Sequence, residues 1–110
     1  YARAALEALG VWPSVEHRLL PGESVRAALA YVAREEAPLG VVYATDARAE
    51  PAVRLVGLFP AASHPPIRYP VALVAASRHR RAGALLDFLG GPEATAIFRR
   101  QGFGAPPESD

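Results

Sequence analysis

The residues of this chain that could carry chemistry fall into a few groups. His17, His64 and His79 lie far apart in sequence. None has a second histidine or a carboxylate at a standard ligand interval, so loop or surface positions are the plainer reading and a metal centre is poorly supported. Ser63, His64 and Asp46 could be drawn together as nucleophile, base and acid, yet no nucleophile-elbow glycine pattern surrounds any serine. The absence of cysteine excludes a disulfide frame, a thiolate metal site and a thiol nucleophile.

Anion binding has better footing. Ser24 is suited to cap a helix whose first N–H groups, those of Val25 and its neighbours, point out of the helix end. Such groups can donate to an oxyanion without a formal charge beside it. Tyr43 closes a short apolar run after that helix, at the strand end where ligands settle in parallel α/β sheets. Its phenol reads either as a core aromatic with a satisfied hydroxyl or as a ligand donor, and composition alone favours the core. Arg78-His79-Arg80-Arg81 is the one basic cluster, read as the first turn of a helix capped by Ser77. Positive charge there opposes the helix dipole, which marks an anion or partner site or, more plainly, a solvated face. No aromatic residues interleave with it to stack bases, so nucleic acid is not an expected partner.

These residues need elements to position them. Apolar spacing at Ala2, Ala5, Leu6 and Leu9 predicts an initial helix stopped by Gly10, and Val11 to Val15 a turn into a short helical piece. His17 to Leu20 reads as a short strand. Val25, Ala28, Leu29 and Val32 repeat at helical spacing behind Ser24. Leu39 to Ala44 is nearly all apolar, as for a strand buried on both faces, and Thr45 and Asp46 follow as turn or cap residues. Val53 to Phe59 is a further β-rich run. Ala61 to Pro66 is the best linker, and Ile67 to Ala75 a strand interrupted by Pro70. A helix with Ala82, Leu85, Leu86 and Leu89 on its apolar face ends at Gly90-Gly91. Pro92 opens the last helix, with Ala96, Ile97 and Phe98 facing inward and Gly102 as its stop. Pro106 to Asp110 reads as a frayed tail. Helices alternating with short strands predict an α/β fold with a mostly parallel sheet.

A hydrophobic fraction of 51% and a charged fraction of 21% are those of an ordinary globular protein. At 110 residues the chain can build one modest core. Its longest clean apolar stretch, Val71 to Ala76, is far below the roughly 18 residues of a membrane-spanning helix. A net charge of +1 provides no field toward nucleic acid or an anionic membrane. All twelve basic residues are arginine, as in proteins from GC-rich genomes. The chain opens inside a helical pattern with neither an initiator Met nor an N-cap, which is expected of a piece of something longer.

The passage from Glu23 to Ala47 resembles the periplasmic molybdate-binding proteins of the ModA type. It carries a Val25-Arg26-Ala27-Ala28-Leu29 helix, then Glu36-Ala37-Pro38-Leu39-Gly40-Val41-Val42-Tyr43, then Ala44-Thr45-Asp46-Ala47. The resemblance continues through Phe59-Pro60, Ser63-His64, Tyr69-Pro70-Val71-Ala72, Phe88-Leu89, Gly91-Pro92-Glu93-Ala94, Ile97-Phe98 and Gly102-Phe103. It implies a type II periplasmic binding fold, here partial, in which two α/β lobes with mixed, mostly parallel sheets close over a tetrahedral oxyanion. It also implies a periplasmic or extracytoplasmic, non-enzymatic component of an ABC importer, with a signal peptide upstream and a membrane permease as partner. Residues 1–60 would complete the second lobe, 61–70 cross the hinge and 71–110 return to the first lobe. The family's motif puts the Val25 backbone N–H and the Tyr43 phenol on molybdate or tungstate. Both touch the oxyanion and neither ligates the metal atom, and no cofactor is implied. Further contacts would come from a missing N-terminal half, and a fragment of this kind could also form a homodimer. Two alternatives use the same residues differently: an effector-binding module of a transcription regulator, which can share the fold, and a hydrolase, for which no constellation is visible.

Overall fold

The computed structural model describes residues 1–105, and the chain divides into two compact units, Tyr1–Ile67 and Arg68–Asp110. In the first unit, α1 (Ala2–Ala8) carries an i,i+4 pair, with Arg3 Nε 2.8 Å from Glu7 Oε1. The Glu7 carboxylate, through that hydrogen bond and its charge, raises the Arg3 pKa above its ordinary value. The same guanidinium lies 4.8 Å over the Trp12 ring. Gly10 takes φ 72° and ends α1 with two reversed hydrogen bonds: its N–H donates to the Glu7 carbonyl, and the Val11 N–H to that of Leu6. α2 (Trp12–Val15) follows, with Pro13 in its first turn, and continues into a 3-10 turn at Glu16–Arg18.

The helix announced by Ser24 is α3 (Val25–Ala33). Ser24 has extended backbone, and its Oγ accepts from the Ala27 N–H at 3.1 Å, so the predicted cap is present. Leu29 is the buried side chain of its apolar face. The helix ends as α1 does, with Glu35 N–H donating to the Val32 carbonyl and Glu36 N–H to that of Tyr31. Here, however, the left-handed residue is Glu35, at φ 62°. α4 (Ala44–Ala49) is short, with Tyr43 in the capping position. A 3-10 turn at Ala61–Ser63 packs against α1 near the fully buried Ala5.

In the second unit, α5 (Ala82–Leu89) packs against α6 (Pro92–Arg100), which begins on Pro92 as expected. Ala94 is the buried residue of α6, whereas Ala96, Ile97 and Phe98, predicted to face inward, are exposed. On α5, Ala82, Leu86 and Leu89 are half-buried and Leu85 is exposed. Gly102, at φ 93°, terminates α6: its N–H donates to the Arg99 carbonyl and the Phe103 N–H to that of Phe98. The rings of Phe98 and Phe103 meet edge-on at 6.1 Å, the side-chain contact that accompanies this cap.

Three expectations are corrected. No strand occurs among the described residues, so the α/β fold with a mostly parallel sheet is not what they form. His17 and Arg18 belong to the 3-10 turn that prolongs α2, and Leu39–Val42, Val53–Phe59 and Ile67–Ala75 run without regular pairing. Apolar β-branched composition gives a segment its preference, but a ladder also needs a neighbouring strand to accept its N–H groups. None is supplied within the described residues. Ser77 does not cap α5, which begins only at Ala82; its Oγ instead accepts from the His79 N–H at 3.4 Å. Arg78 to Arg81 therefore precede the helix rather than occupy its first turn, with Arg81 in the capping position. Residues 106–110, read as a frayed tail, lie outside the described residues.

Candidate functional site

Val25 and Tyr43 line one concavity of about 600 Å³ in the first unit. Its walls come from the start of α3, the run Pro38–Tyr43, the run Ala52–Phe59 and the residues Tyr1, His64 and Ile67. No carboxylate lines it; Arg54 and His64 are its basic residues. A cavity whose charged or titratable lining is basic, with no carboxylate, suits an anion better than a cation.

Each candidate donor is held by local structure. Val25 is the first helical residue of α3, so its N–H belongs to the set that the helix itself cannot satisfy. The Ser24 hydroxyl takes one of these groups, that of Ala27, and fixes the geometry of the turn. Gly22 lies close beneath: a Cβ there would stand 2.8 Å from the Ala28 nitrogen and 3.0 Å from the Ser24 carbonyl oxygen. Tyr43 is half-buried, its carbonyl accepting from the N–H groups of Asp46 and Ala47 at 3.0 and 3.1 Å. Its ring stands edge-on to Tyr1 at 6.4 Å, and Tyr1 stands edge-on to His64 at 6.2 Å. The run leading to Tyr43 presses against α3 at Gly40, where a Cβ would come within 2.7 Å of Val32 Cγ2.

An ion pair joins these two elements and escaped the sequence reading. Arg26 Nε lies 2.9 Å from Asp46 Oδ1, and Asp46 is buried. The signal was present in the composition of the motif: an arginine in the first turn of a helix calls for a counter-charge, and Asp46 follows closely on the apolar run after that helix. The separation of the two positions hid their pairing.

The other candidates do not assemble. Ser63 Oγ donates to the Pro60 carbonyl at 2.6 Å, His64 Nδ1 lies 2.8 Å from the Pro65 carbonyl oxygen, and Asp46 holds Arg26. The three members of the imagined nucleophilic set are thus each engaged elsewhere. Among the described residues no group of histidines and carboxylates could hold a metal ion, and no helix is long and apolar enough to cross a membrane. In the second unit, His79 Nδ1 accepts from the Arg81 N–H at 3.3 Å, so the basic cluster is folded into its own turn.

Comparison with known proteins agrees on one family. The sequence profile described as bacterial extracellular solute-binding protein matches residues 1–104. The molybdate-binding protein ModA of Escherichia coli (strain K12) is 48% identical over 103 residues, covering 94% of this chain and 40% of that protein. ModA of Haemophilus influenzae is 42% identical over 105 residues, covering 96% and 41% respectively. The lipoprotein YvgL of Bacillus subtilis (strain 168), whose name proposes substrate binding for an ABC transporter, is 35% identical over 106 residues, with 96% and 41% covered. The chain therefore spans about two fifths of the length of these relatives. With the profile matched along nearly all of its length, this chain belongs to the bacterial extracellular solute-binding protein family.

Proposed function

We propose that this chain is the C-terminal part of an extracytoplasmic protein that captures molybdate, or tungstate, and delivers it to the membrane permease of an ABC importer. The observation that carries the reading is the placement of Val25 and Tyr43 on one concavity that no carboxylate lines. Identity to two molybdate-binding proteins along nearly the whole chain supports it. In this reading the Val25 N–H and the Tyr43 hydroxyl donate to oxyanion oxygens, and neither ligates the metal atom. Neutral donors suit a dianion because hydrogen bonds to a charged group are the strong kind, while no fixed counter-charge has to be buried. The protein binds and releases; it transforms nothing and needs no cofactor.

The remaining donors belong to a longer protein's N-terminal half, which also carries the signal peptide. In the complete α/β architecture residues 1–60 finish the second lobe, 61–70 cross the hinge and 71–110 return to the first. Exposed apolar side chains such as Leu39, Val56 and Leu58 suit a chain whose extended runs become strands beside that half. Alone, the chain is expected to associate with it or with a second copy of itself.

Calorimetric titration of molybdate, tungstate and sulfate into the intact protein, with the isolated chain in parallel, tests the proposal. Tight binding of the first two by the intact protein is expected, with binding by the isolated chain much weaker. An intact protein that binds none of the three overturns the oxyanion reading.

A further inference from the structure

Arg26 and Asp46 adjoin the residues of the two donors just assigned, and the inference drawn from them rests on that reading. The chain of connections is short. Val25 precedes Arg26 in the first turn of α3. The Arg26 guanidinium meets the Asp46 carboxylate with Nε–Oδ1 2.9 Å. The Asp46 N–H returns to the Tyr43 carbonyl at 3.0 Å. Asp46 therefore contacts the residue beside one donor through its carboxylate and the backbone of the other donor's residue through its own N–H.

Stability alone is a weak account of this pair. The Arg26 side chain is 73% exposed and that of Asp46 is 11% exposed. A pair with one partner so open to water is heavily screened and contributes little to folding. Geometry and charge are stronger accounts. Arg26 occupies a first-turn position, where its charge opposes the helix dipole, and the buried Asp46 neutralises it there. Asp46 itself lies in the first turn of α4, where negative charge is favoured. The closing contact of Gly40 on Val32 fixes the approach of the two segments, and the ion pair fixes their rotation about that contact.

We infer that Arg26 and Asp46 are positioning residues that set the spacing between the Val25 N–H and the Tyr43 hydroxyl, and so the size of oxyanion the site accepts. Neither touches the ligand. Asp46 also engages the Arg26 guanidinium, which is not among the groups lining the concavity.

The test is a double-mutant cycle in the intact protein with molybdate and sulfate, using Asp46→Asn, Arg26→Gln and the two together, each with its thermal midpoint. Asp46→Asn is expected to weaken molybdate binding about 10-fold, the usual scale for losing an outer-shell support. The molybdate-to-sulfate affinity ratio should fall with it, because loosened spacing loses its preference for the larger anion. Arg26→Gln should do the same, and the double variant should be no worse than either single one. A pair that only stabilised the fold would move the midpoints and leave the affinity ratio unchanged, which overturns the inference. Arg26→Met keeps the aliphatic stem at this exposed position and removes the pair; should the other variants fail to fold, an unchanged ratio in this one is equally decisive. Wild-type protein that binds neither oxyanion would overturn the function itself, whereas wild-type binding with unaltered variants overturns only the role of the pair.

Discussion

At Glu35 the backbone takes φ 62°, the left-handed region, in the position that ends α3. The equivalent positions after α1 and α6 are Gly10 and Gly102. The hydrogen bonds are the same in all three, so the caps differ chiefly in whether a side chain must endure the conformation. An L-residue there costs about 1–2 kcal/mol. Glycine avoids that strain but loses more chain freedom on folding, about 0.5–1 kcal/mol. Taken at the middle of both ranges, the balance favours Glu35→Gly by about 0.75 kcal/mol. With a urea m-value of about 2 kcal/mol/M this is a rise in midpoint of about 0.4 M. Equilibrium urea unfolding of the intact protein, followed by circular dichroism, reads it directly. Gly102→Ala serves as the mirror experiment and should lower the midpoint by a comparable amount. A midpoint for Glu35→Gly equal to or below wild type, at unchanged m, would refute the strain argument.

Gly22→Ala should destabilise by about 1–3 kcal/mol, because its Cβ would meet backbone atoms of Ala28 and Ser24 that cannot rotate away; thermal melting checks it. Gly83→Ala, inside α5 with nothing within 4 Å of the added Cβ, should stabilise by about 0.5–1 kcal/mol in the same assay. Tyr43→Phe should weaken molybdate binding about 10- to 150-fold, the value of a hydrogen bond to a charged group of about 1.5–3 kcal/mol. Unchanged affinity by calorimetry removes its hydroxyl from the site. Val25→Pro should cause a similar loss at unchanged helix content, since proline is welcome at the first helical position and deletes only an N–H that no helical carbonyl uses.

The starts of α3 and α6 and the ends of α1 and α6 were legible because each is a local event. Ser24 finds its N–H partner three residues on, Gly10 and Gly102 supply left-handed turns, and Pro92 is preset for a helix start. Glu35 shows the limit of that logic: nothing in its side chain announces a left-handed cap. The strand readings failed at Leu39–Val42 and Val53–Phe59 for a different reason. Their composition is β-like, but pairing is a property of two segments, and neither run forms a ladder with another among the described residues. Ser77 misled because a serine before a polar run resembles a cap; the three arginines that follow it are poor company for a helix start. Val25 and Tyr43 came from motif likeness, and local chemistry alone left Tyr43 ambiguous. The Arg26–Asp46 pair was invisible because its members sit on different helices.

The exposed run Val71–Ala75 has a consequence for how this chain survives in a crowded solution. Val71, Leu73 and Val74 are 60%, 50% and 71% exposed, and the run holds neither charge nor proline. Short uncharged windows of this kind are the seeds of cross-β self-association. Here Arg68 and Pro70 stand on one side and Arg78, Arg80 and Arg81 on the other. Stacking two copies in register would bring these like charges together, and the proline would interrupt the ladder. The like charges of the basic cluster and of Arg68, with Pro70, thereby stand as gatekeepers on either side of an exposed apolar segment.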